Sequence, residues 1–333
     1  MTRTGFVHRA LCYGSDDEFL DGTLTFALDG LAAGETVLAV VATRNIDLLG
    51  RALGRRRDEV EFVDADDWYG SPSRTLGRYN AYCADHDTDG AGRPSRIRII
   101  GEPVWPGRTE FETREWMRYE SLLNVAFAGT GHRILCPYDT RALPPGVVRS
   151  ATRTHPELAL AAGDSAASGH YADPADFYAE CDAARPYGLP AGRDDIPFGR
   201  GRSALVRRAL RSYALDLGVS EHRLDDMVAA VHEVVVNSVR HGGGRGVLRL
   251  RNDFEYVICE VSDVGTGAST VPPLFPGHLP PDRRAVNGHG MWVVRQLSDL
   301  LTETLDPAGS VVRLYFKRGA RGPTRAACPP PAV

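Results

Sequence analysis

The chain has 333 residues, of which 43% are hydrophobic and 25% are charged, a composition typical of a soluble globular protein with room for two domains. Its net charge of −4 argues against a general nucleic-acid binder, so we expect no direct nucleic-acid partner. The sequence has neither a run of about 18 apolar residues nor the apolar core of a signal peptide, which predicts a cytoplasmic protein without a membrane partner.

Lysine and cysteine usage argues against three further classes of site. Lys317 is the only lysine and lies far from any G-x-x-x-x-G-K-[ST] pattern, so the chain has no P-loop. The cysteines are scattered without a C-x-x-C pair, which argues against a zinc site and against a disulfide framework. Cys12 and Cys136 lie in predicted strands and are interpreted most simply as small core residues.

The N-terminal half alternates strand-like and helix-like segments. The β-rich segments are 6–13, 36–43, 60–65, 96–103 and 132–139, and the helix-like segments between them are 16–34, 45–56 and 109–129. Ser15 is the expected N-cap of the first helix. Such alternation predicts a parallel α/β sheet covered on both faces, with ligands expected beyond the carboxyl ends of the strands.

Acidic and aromatic side chains follow the third, fourth and fifth predicted strands. They lie at 66–69, at 101–103 with Trp105, and at 137–139. Two interpretations stay open, namely loop packing and helix capping, or a ligand or partner pocket with carboxylates and aromatic rings at its mouth.

The segments H-x-x-x-x-Y, DADDWY, GEPVW, YESLLN, CPYD and RTHPEL occur in this order over about residues 5–160. Together they resemble the MEDS sensory domain. The resemblance implies a RecA-like parallel α/β fold that has lost its phosphate loop, in agreement with the missing lysine. It also implies sensing or protein interaction, and it leaves the signal unnamed.

The composition changes after this region. We expect a sensory domain at 1–160, a linker rich in Ala, Gly, Pro and Asp at 161–199, a second domain at 200–318 and a disordered tail at 319–333.

In the second domain we predict an amphipathic helix at 203–218 and a motif helix that begins near Ser220. We also predict strands at 246–253, 254–263 and 310–318, with the helices on one face of the sheet.

The first motif of the second domain is HEVVVNSVRH at 232–241. On a helix, Glu233 and Asn237 stand four residues apart and share a face. Asn237 offers a hard oxygen ligand suited to Mg²⁺, which binds few protein oxygens together with substrate phosphates. Glu233 is placed to accept a proton from an attacking hydroxyl or water.

Two glycine-rich motifs follow, SDVGTG at 262–267 and NGHG at 287–290. Asp263 ends an alternating, strand-like segment, and Gly265 and Gly267 would let a planar base approach the backbone. Gly288 and Gly290 precede an apolar helical pattern, where free backbone N–H groups favour a phosphate.

The three motifs resemble, in order, the ATP-binding fold shared by gyrase, Hsp90, histidine kinases and MutL, and most of all its anti-sigma-factor serine kinase branch. The resemblance implies a two-layer α/β sandwich in which Glu233 is the catalytic base, Asn237 holds Mg²⁺ and Asp263 recognises the adenine amino group. It implies further nucleotide contacts from Gly265, Gly267, Gly288, Gly290, Met291 and Arg284. The segment 268–287 corresponds to the mobile lid of the family.

The implied cofactors are ATP and Mg²⁺, and the implied partners are a sigma factor and an anti-anti-sigma antagonist of the STAS type. Three hypotheses stay open: a serine/threonine protein kinase that also sequesters the sigma factor, a nucleotide-dependent switch without turnover, and a degenerate docking module. A sensor histidine kinase is disfavoured, since His232 lies inside the ATP-binding helix itself. The resemblance also implies that the chain can form a homodimer.

Overall fold

The computed structural model describes residues 5–88, 95–160, 163–183, 195–267, 275–281, 289–305 and 308–318. These residues form two compact units. The first unit contains the described residues up to 183 together with 275–281, and the second unit contains the remainder. Among the described residues, no helix combines the length and apolarity that a membrane span requires.

The first unit is built on a seven-stranded sheet in the order β3-β2-β4-β5-β1-β6-β7. Its strands are β1 Val7–Tyr13, β2 Thr36–Val41, β3 Val60–Asp64, β4 Ile97–Gly101, β5 Arg133–Asp139, β6 Glu157–Ala159 and β7 Ser165–Ala167. The first six strands pair in parallel, and β7 closes one edge as an antiparallel partner of β6. Strands β2 and β4 are buried almost throughout, as expected where helices cover both faces.

Helices connect these strands, namely the three that the sequence predicted and four that it did not. They are α1 Asp16–Ala32, α2 Thr43–Leu53, α3 Ala65–Trp68, α4 Pro72–Asp85, α5 Glu110–Ala126, α6 Pro145–Thr154 and α7 Pro174–Ala183, with a 3-10 helix at Gly54–Glu59. The Ser15 side chain accepts a hydrogen bond from the Glu18 N–H, so the predicted N-cap of α1 is present. Cys136 is buried, but Cys12 is exposed, and its interpretation as a core residue is wrong.

The second unit is a two-layer sandwich with a five-stranded antiparallel sheet in the order β11-β12-β10-β9-β8. Its strands are β8 Ile196–Gly199, β9 Arg245–Asn252, β10 Tyr256–Asp263, β11 Leu300–Thr304 and β12 Val311–Lys317, and its helices are α8 Ser203–Asp216, α9 Glu221–His241 and α10 Gly290–Leu297. Leu210 and Val231 of the helices share one buried core with Leu248 and Leu314 of the sheet. The predicted fold class, a parallel α/β unit followed by a two-layer α/β sandwich, is confirmed.

The segment predicted as a linker, 161–199, differs from that expectation because it contains β7, α7 and β8. Helix α7 packs on α5, where the buried guanidinium of Arg118 lies 2.7 Å from Asp182 and over the ring of Tyr178. Tertiary contacts of this kind stabilise short elements that have no periodic pattern of their own. The domain limits 1–160 and 200–318 stay predictions.

Part of the predicted lid belongs to the first unit. Within 275–281, the rings of Phe275 and His278 each contact the ring of Tyr178, and Phe275 is buried beside Leu122. The rest of the segment 268–287 and the predicted tail 319–333 lie outside the described residues.

A buried ion pair ties β4 to the turn after α1. The Arg98 guanidinium binds the Glu35 carboxylate and also donates to the Phe26 carbonyl, and both side chains are no more than about a tenth exposed. Replacing Glu35 by alanine would leave a buried charge without its counter-ion, so we expect the unfolding free energy to fall by about 3–5 kcal/mol.

Chemical denaturation followed by tryptophan fluorescence measures this loss, because three of the four tryptophans lie in the first unit. The matched control is Glu59→Ala, which removes the exposed carboxylate paired with Arg56 and should leave the transition unchanged. Equal effects of the two variants would contradict a structural role for the buried pair.

Candidate functional site

Helix α9 carries Glu233 and Asn237 on one face, as the four-residue spacing predicts, while its apolar residues are buried in the core of the second unit. The first residue of α10, Gly290, faces both side chains. A Cβ atom at Gly290 would lie 3.3 Å from Glu233 Oε2 and 3.4 Å from Asn237 Nδ2. A glycine at this position therefore lets the beginning of α10 approach the two polar side chains closely.

The beginning of α10 adds hydrogen-bond donors to this region, since the first N–H groups of a helix have no partner within the helix. His289, which the sequence analysis did not single out, is the N-cap of α10. Its Nε2 atom is buried and makes no hydrogen bond in the described part of the chain. An amide oxygen and a carboxylate are ligands that suit Mg²⁺. The N-terminus of a helix suits the phosphate oxygens to which the same Mg²⁺ would bind.

Asp263 is held at the carboxyl end of β10 by the backbone. Its Oδ1 atom accepts hydrogen bonds from the N–H groups of Gly265 and Ser310, each at 3.0 Å. Gly265 and Gly267 have φ angles of 67° and 69°, in the left-handed region that favours glycine. The D-x-G-x-G segment therefore forms a turn, and its hydrogen bonds fix the orientation of the Asp263 carboxylate.

The second oxygen of Asp263 faces the end of α9. A Cβ atom at Gly242, the C-cap of that helix, would lie 2.2 Å from Asp263 Oδ2. Asn237 precedes Gly242 by five residues, about 7.5 Å of helix. The described parts of the three motifs therefore meet along the C-terminal half of α9.

For three residues implied by the resemblance, the nucleotide contact stays a prediction. Gly288 and Arg284 lie outside the described residues. Met291 packs against the core of the second unit and is partly buried, so its contact with a nucleotide stays a prediction. Gly242 was not predicted, because the pattern of a single sequence does not reveal which side chain faces a glycine.

The first unit contains a separate cavity of about 250 Å³ beyond the carboxyl ends of its parallel strands. Residues from all three predicted loops line it, among them Asp66, Glu102, Trp105, Pro137 and Asp139. The expected location of a ligand pocket in a parallel α/β sheet thus coincides with a cavity.

The Glu102 carboxylate on the wall of this cavity is held by several hydrogen bonds. It accepts hydrogen bonds from the Tyr13 hydroxyl, the Asn45 amide and the Ala42 N–H, all between 2.8 and 3.1 Å. Burial and the neighbouring Glu102 charge raise the pKa of Tyr13 well above its usual range, so its hydroxyl stays protonated. The Glu102 carboxylate therefore forms a fixed, negatively charged part of the cavity wall.

Two of the predicted pocket residues pack inside the unit. The Tyr69 hydroxyl bonds the Tyr79 hydroxyl at 2.8 Å, and the Trp68 ring contacts the rings of Tyr79 and Tyr82. The two interpretations of these loops therefore apply to different residues, with loop packing for Trp68 and Tyr69 and a cavity lining for Asp66.

Comparison with protein families assigns both units. Residues 7–156 match the model of MEDS, the methanogen/methylotroph DcmR sensory domain, and residues 200–316 match the model of the histidine kinase-like ATPase domain. The chain therefore carries a MEDS domain followed by a histidine kinase-like ATPase domain. Glu233, Asn237, Asp263 and Gly290 all lie inside the ATPase domain.

One solved structure is similar to part of this chain. The crystal structure of the RsbU and RsbW domains of Rv1364c from Mycobacterium tuberculosis matches with 20% identity and a TM-score of 0.27. The match covers 40% of this chain and 36% of that chain, so this chain spans only about a third of its length. A likeness of this size carries no argument about function. The curated proteins contain no match.

Proposed function

We propose that the chain is an ATP-dependent serine/threonine protein kinase of the anti-sigma type, located in the cytoplasm. Its substrate is the hydroxyl group of an anti-anti-sigma antagonist, and it sequesters a sigma factor under the control of the MEDS domain. The proposal rests on one observation above all: Glu233 and Asn237 converge on Gly290 at the beginning of α10.

Each residue has a distinct role in this proposal. Asn237 supplies an oxygen ligand to Mg²⁺, which neutralises the charge of the triphosphate when it is bound. Glu233 orients the attacking hydroxyl and accepts its proton. The N–H groups at the beginning of α10 hold phosphate oxygens. Asp263 accepts a hydrogen bond from the adenine amino group, and its backbone partners keep it oriented for that contact.

The kinase activity is tested with labelled ATP, Mg²⁺ and a candidate STAS-type antagonist, using the wild type and Glu233→Gln. We expect the wild type to label the antagonist, and Glu233→Gln to lose transfer while keeping ATP affinity, because glutamine preserves the shape but cannot take up the proton. A wild type that transfers no phosphate, with sigma-factor capture that still depends on nucleotide in Glu233→Gln, would leave the non-catalytic switch instead.

Gly242 provides a structural test of the adenine contact. An added methyl group at 242 would displace the Asp263 carboxylate, so we expect Gly242→Ala to weaken ATP binding at least about tenfold, as loss of a hydrogen bond to a charged group does. Calorimetric titration measures the affinity. Gly199→Ala is the matched control, since its methyl group would make an ordinary 3.5 Å contact with the Gly244 carbonyl. Unchanged ATP affinity in a folded Gly242→Ala would contradict this arrangement.

A further inference from the structure

Four chemically reactive side chains meet in the interior of the MEDS domain. They come from β1, α5, β5 and the residue after α6, and each is at most 2% exposed. Their potential metal-binding atoms all lie within 4.8 Å of one another. This buried cluster consists of His8, Glu120, Cys136 and His155.

Neighbouring groups fix both imidazole rings of the buried cluster. His8 Nδ1 lies 3.0 Å from the side-chain oxygen of Asn124, whose own N–H groups donate to the carbonyls of Ser121 and Thr154. His155 Nδ1 lies 2.8 Å from the Ala151 carbonyl. Because both partners are acceptors, each histidine carries its hydrogen on Nδ1 and turns the lone pair of Nε2 toward the cluster. Such outer hydrogen bonds are typical of metal-binding histidines.

Two of the four inward-facing atoms have no hydrogen-bond partner, whereas His8 Nε2 and Cys136 Sγ are within hydrogen-bond distance of each other. Glu120 Oε2 and His155 Nε2 are buried, make no hydrogen bond among the described residues, and lie 3.5 Å apart. Because the Nδ1 hydrogen of His155 is donated to the Ala151 carbonyl, its Nε2 faces the Glu120 carboxylate as a second acceptor. Two acceptors that face each other in a buried space require a cation or a shared proton between them.

Three of the six separations between ligand atoms of the buried cluster match those of a tetrahedral ion. Zinc ligands at bond lengths of about 2.0–2.3 Å are about 3.3–3.8 Å apart. His8 Nε2 lies 3.5 Å from Cys136 Sγ and 3.7 Å from Glu120 Oε2, and the Glu120 to His155 distance also falls within that range.

We infer that the buried cluster binds one divalent transition-metal ion of the zinc class through four protein ligands. Imidazole and thiolate ligands select this class over Mg²⁺ and Ca²⁺, which prefer oxygen. On binding, the Cys136 thiol releases its proton to solvent and ligates as the thiolate. Because the ligands come from separate elements, the ion would join strand β1 to β5, α5 and the end of α6, inside the domain that contains the 250 Å³ cavity.

Cobalt titration of the metal-stripped full chain, without nucleotide, tests the site directly. We expect one equivalent of Co²⁺ to bind with a thiolate-to-cobalt charge-transfer band and the intense visible bands of a four-coordinate ion, and Zn²⁺ to displace it. Cys136→Ser should lose the charge-transfer band. The matched control, Cys83→Ser, changes another buried cysteine of the same unit and should keep it.

A folded wild type that binds neither Co²⁺ nor Zn²⁺ would overturn the inference, as would a charge-transfer band that persists in Cys136→Ser, which would point to the exposed Cys12 or another thiol. Circular dichroism checks the fold of each variant. If Cys136→Ser does not fold, the isosteric variant Glu120→Gln tests the metal site instead. It should keep the band and bind Co²⁺ at least about tenfold more weakly, and unchanged affinity would reject the site.

Discussion

Replacing Asn237 by alanine should remove the Mg²⁺ dependence of ATP binding and weaken the affinity about 10- to 100-fold, measured by calorimetry with and without Mg²⁺. The substitution deletes the side-chain amide of Asn237, whose Nδ2 and Oδ1 atoms would lie 3.4 and 3.8 Å from a Cβ atom at Gly290. An interaction of this kind with a charged group contributes about 1.5–3 kcal/mol, and each 1.4 kcal/mol is about tenfold in affinity.

Alanine itself favours a helix, so loss of α9 does not explain a lower affinity. His222→Ala is the matched control, because it introduces alanine at an exposed position of the same helix, near its first turn. It should bind Mg-ATP like the wild type. If Asn237→Ala retains the Mg²⁺-dependent affinity of the wild type, the metal ligand has been assigned to the wrong residue.

Replacing Asp263 by asparagine should lower the affinity for ATP at least about tenfold and reduce the preference for ATP over GTP. Asparagine keeps an oxygen that can accept from the N–H groups of Gly265 and Ser310, so the turn is preserved. Only the second oxygen changes, from an acceptor of the adenine amino hydrogen to an N–H₂ donor. Competition calorimetry with the two nucleotides measures both effects.

Asp253→Asn is the matched control for this variant. Asp253 is also a turn aspartate that accepts backbone hydrogen bonds, from Glu255 and Tyr256, but it precedes the other end of β10. Its substitution should leave both nucleotide affinities unchanged. Equal losses in the two variants would mean that the turns matter for folding and that Asp263 does not read the base.

The architecture followed from the sequence wherever the hydrophobic pattern is strong. The continuous apolar run of β2 predicted a strand buried on both faces, and the polar residue before α1 predicted its cap. Helices α4, α6 and α7 were missed. Each of them begins with a proline, a residue that is as common in loops as at the first position of a helix. Strand β11 was also missed. It begins at Leu300, close to the end of α10 at Leu297, and its short apolar stretch continues the apolar pattern of that helix.

The candidate nucleotide site was predictable for a different reason. The spacing of Glu233 and Asn237 is local, and helix geometry alone places both on one face. The constraint of Gly242 on Asp263 and the assembly of the buried cluster depend on contacts between distant segments. The absence of a C-x-x-C pair argued against zinc, yet Cys136 meets its neighbours through the parallel pairing of β1 with β5, which no linear spacing reveals.

The most direct test of the account is calorimetric titration of the full chain with ATP in the presence of Mg²⁺, repeated with Asn237→Ala and Asp263→Asn. The account predicts one nucleotide per wild-type chain, binding that depends on Mg²⁺, and at least tenfold weaker binding in each variant. A folded wild type that binds no nucleotide, or variants that bind it as tightly as the wild type, would contradict the assignment of the nucleotide site to these residues.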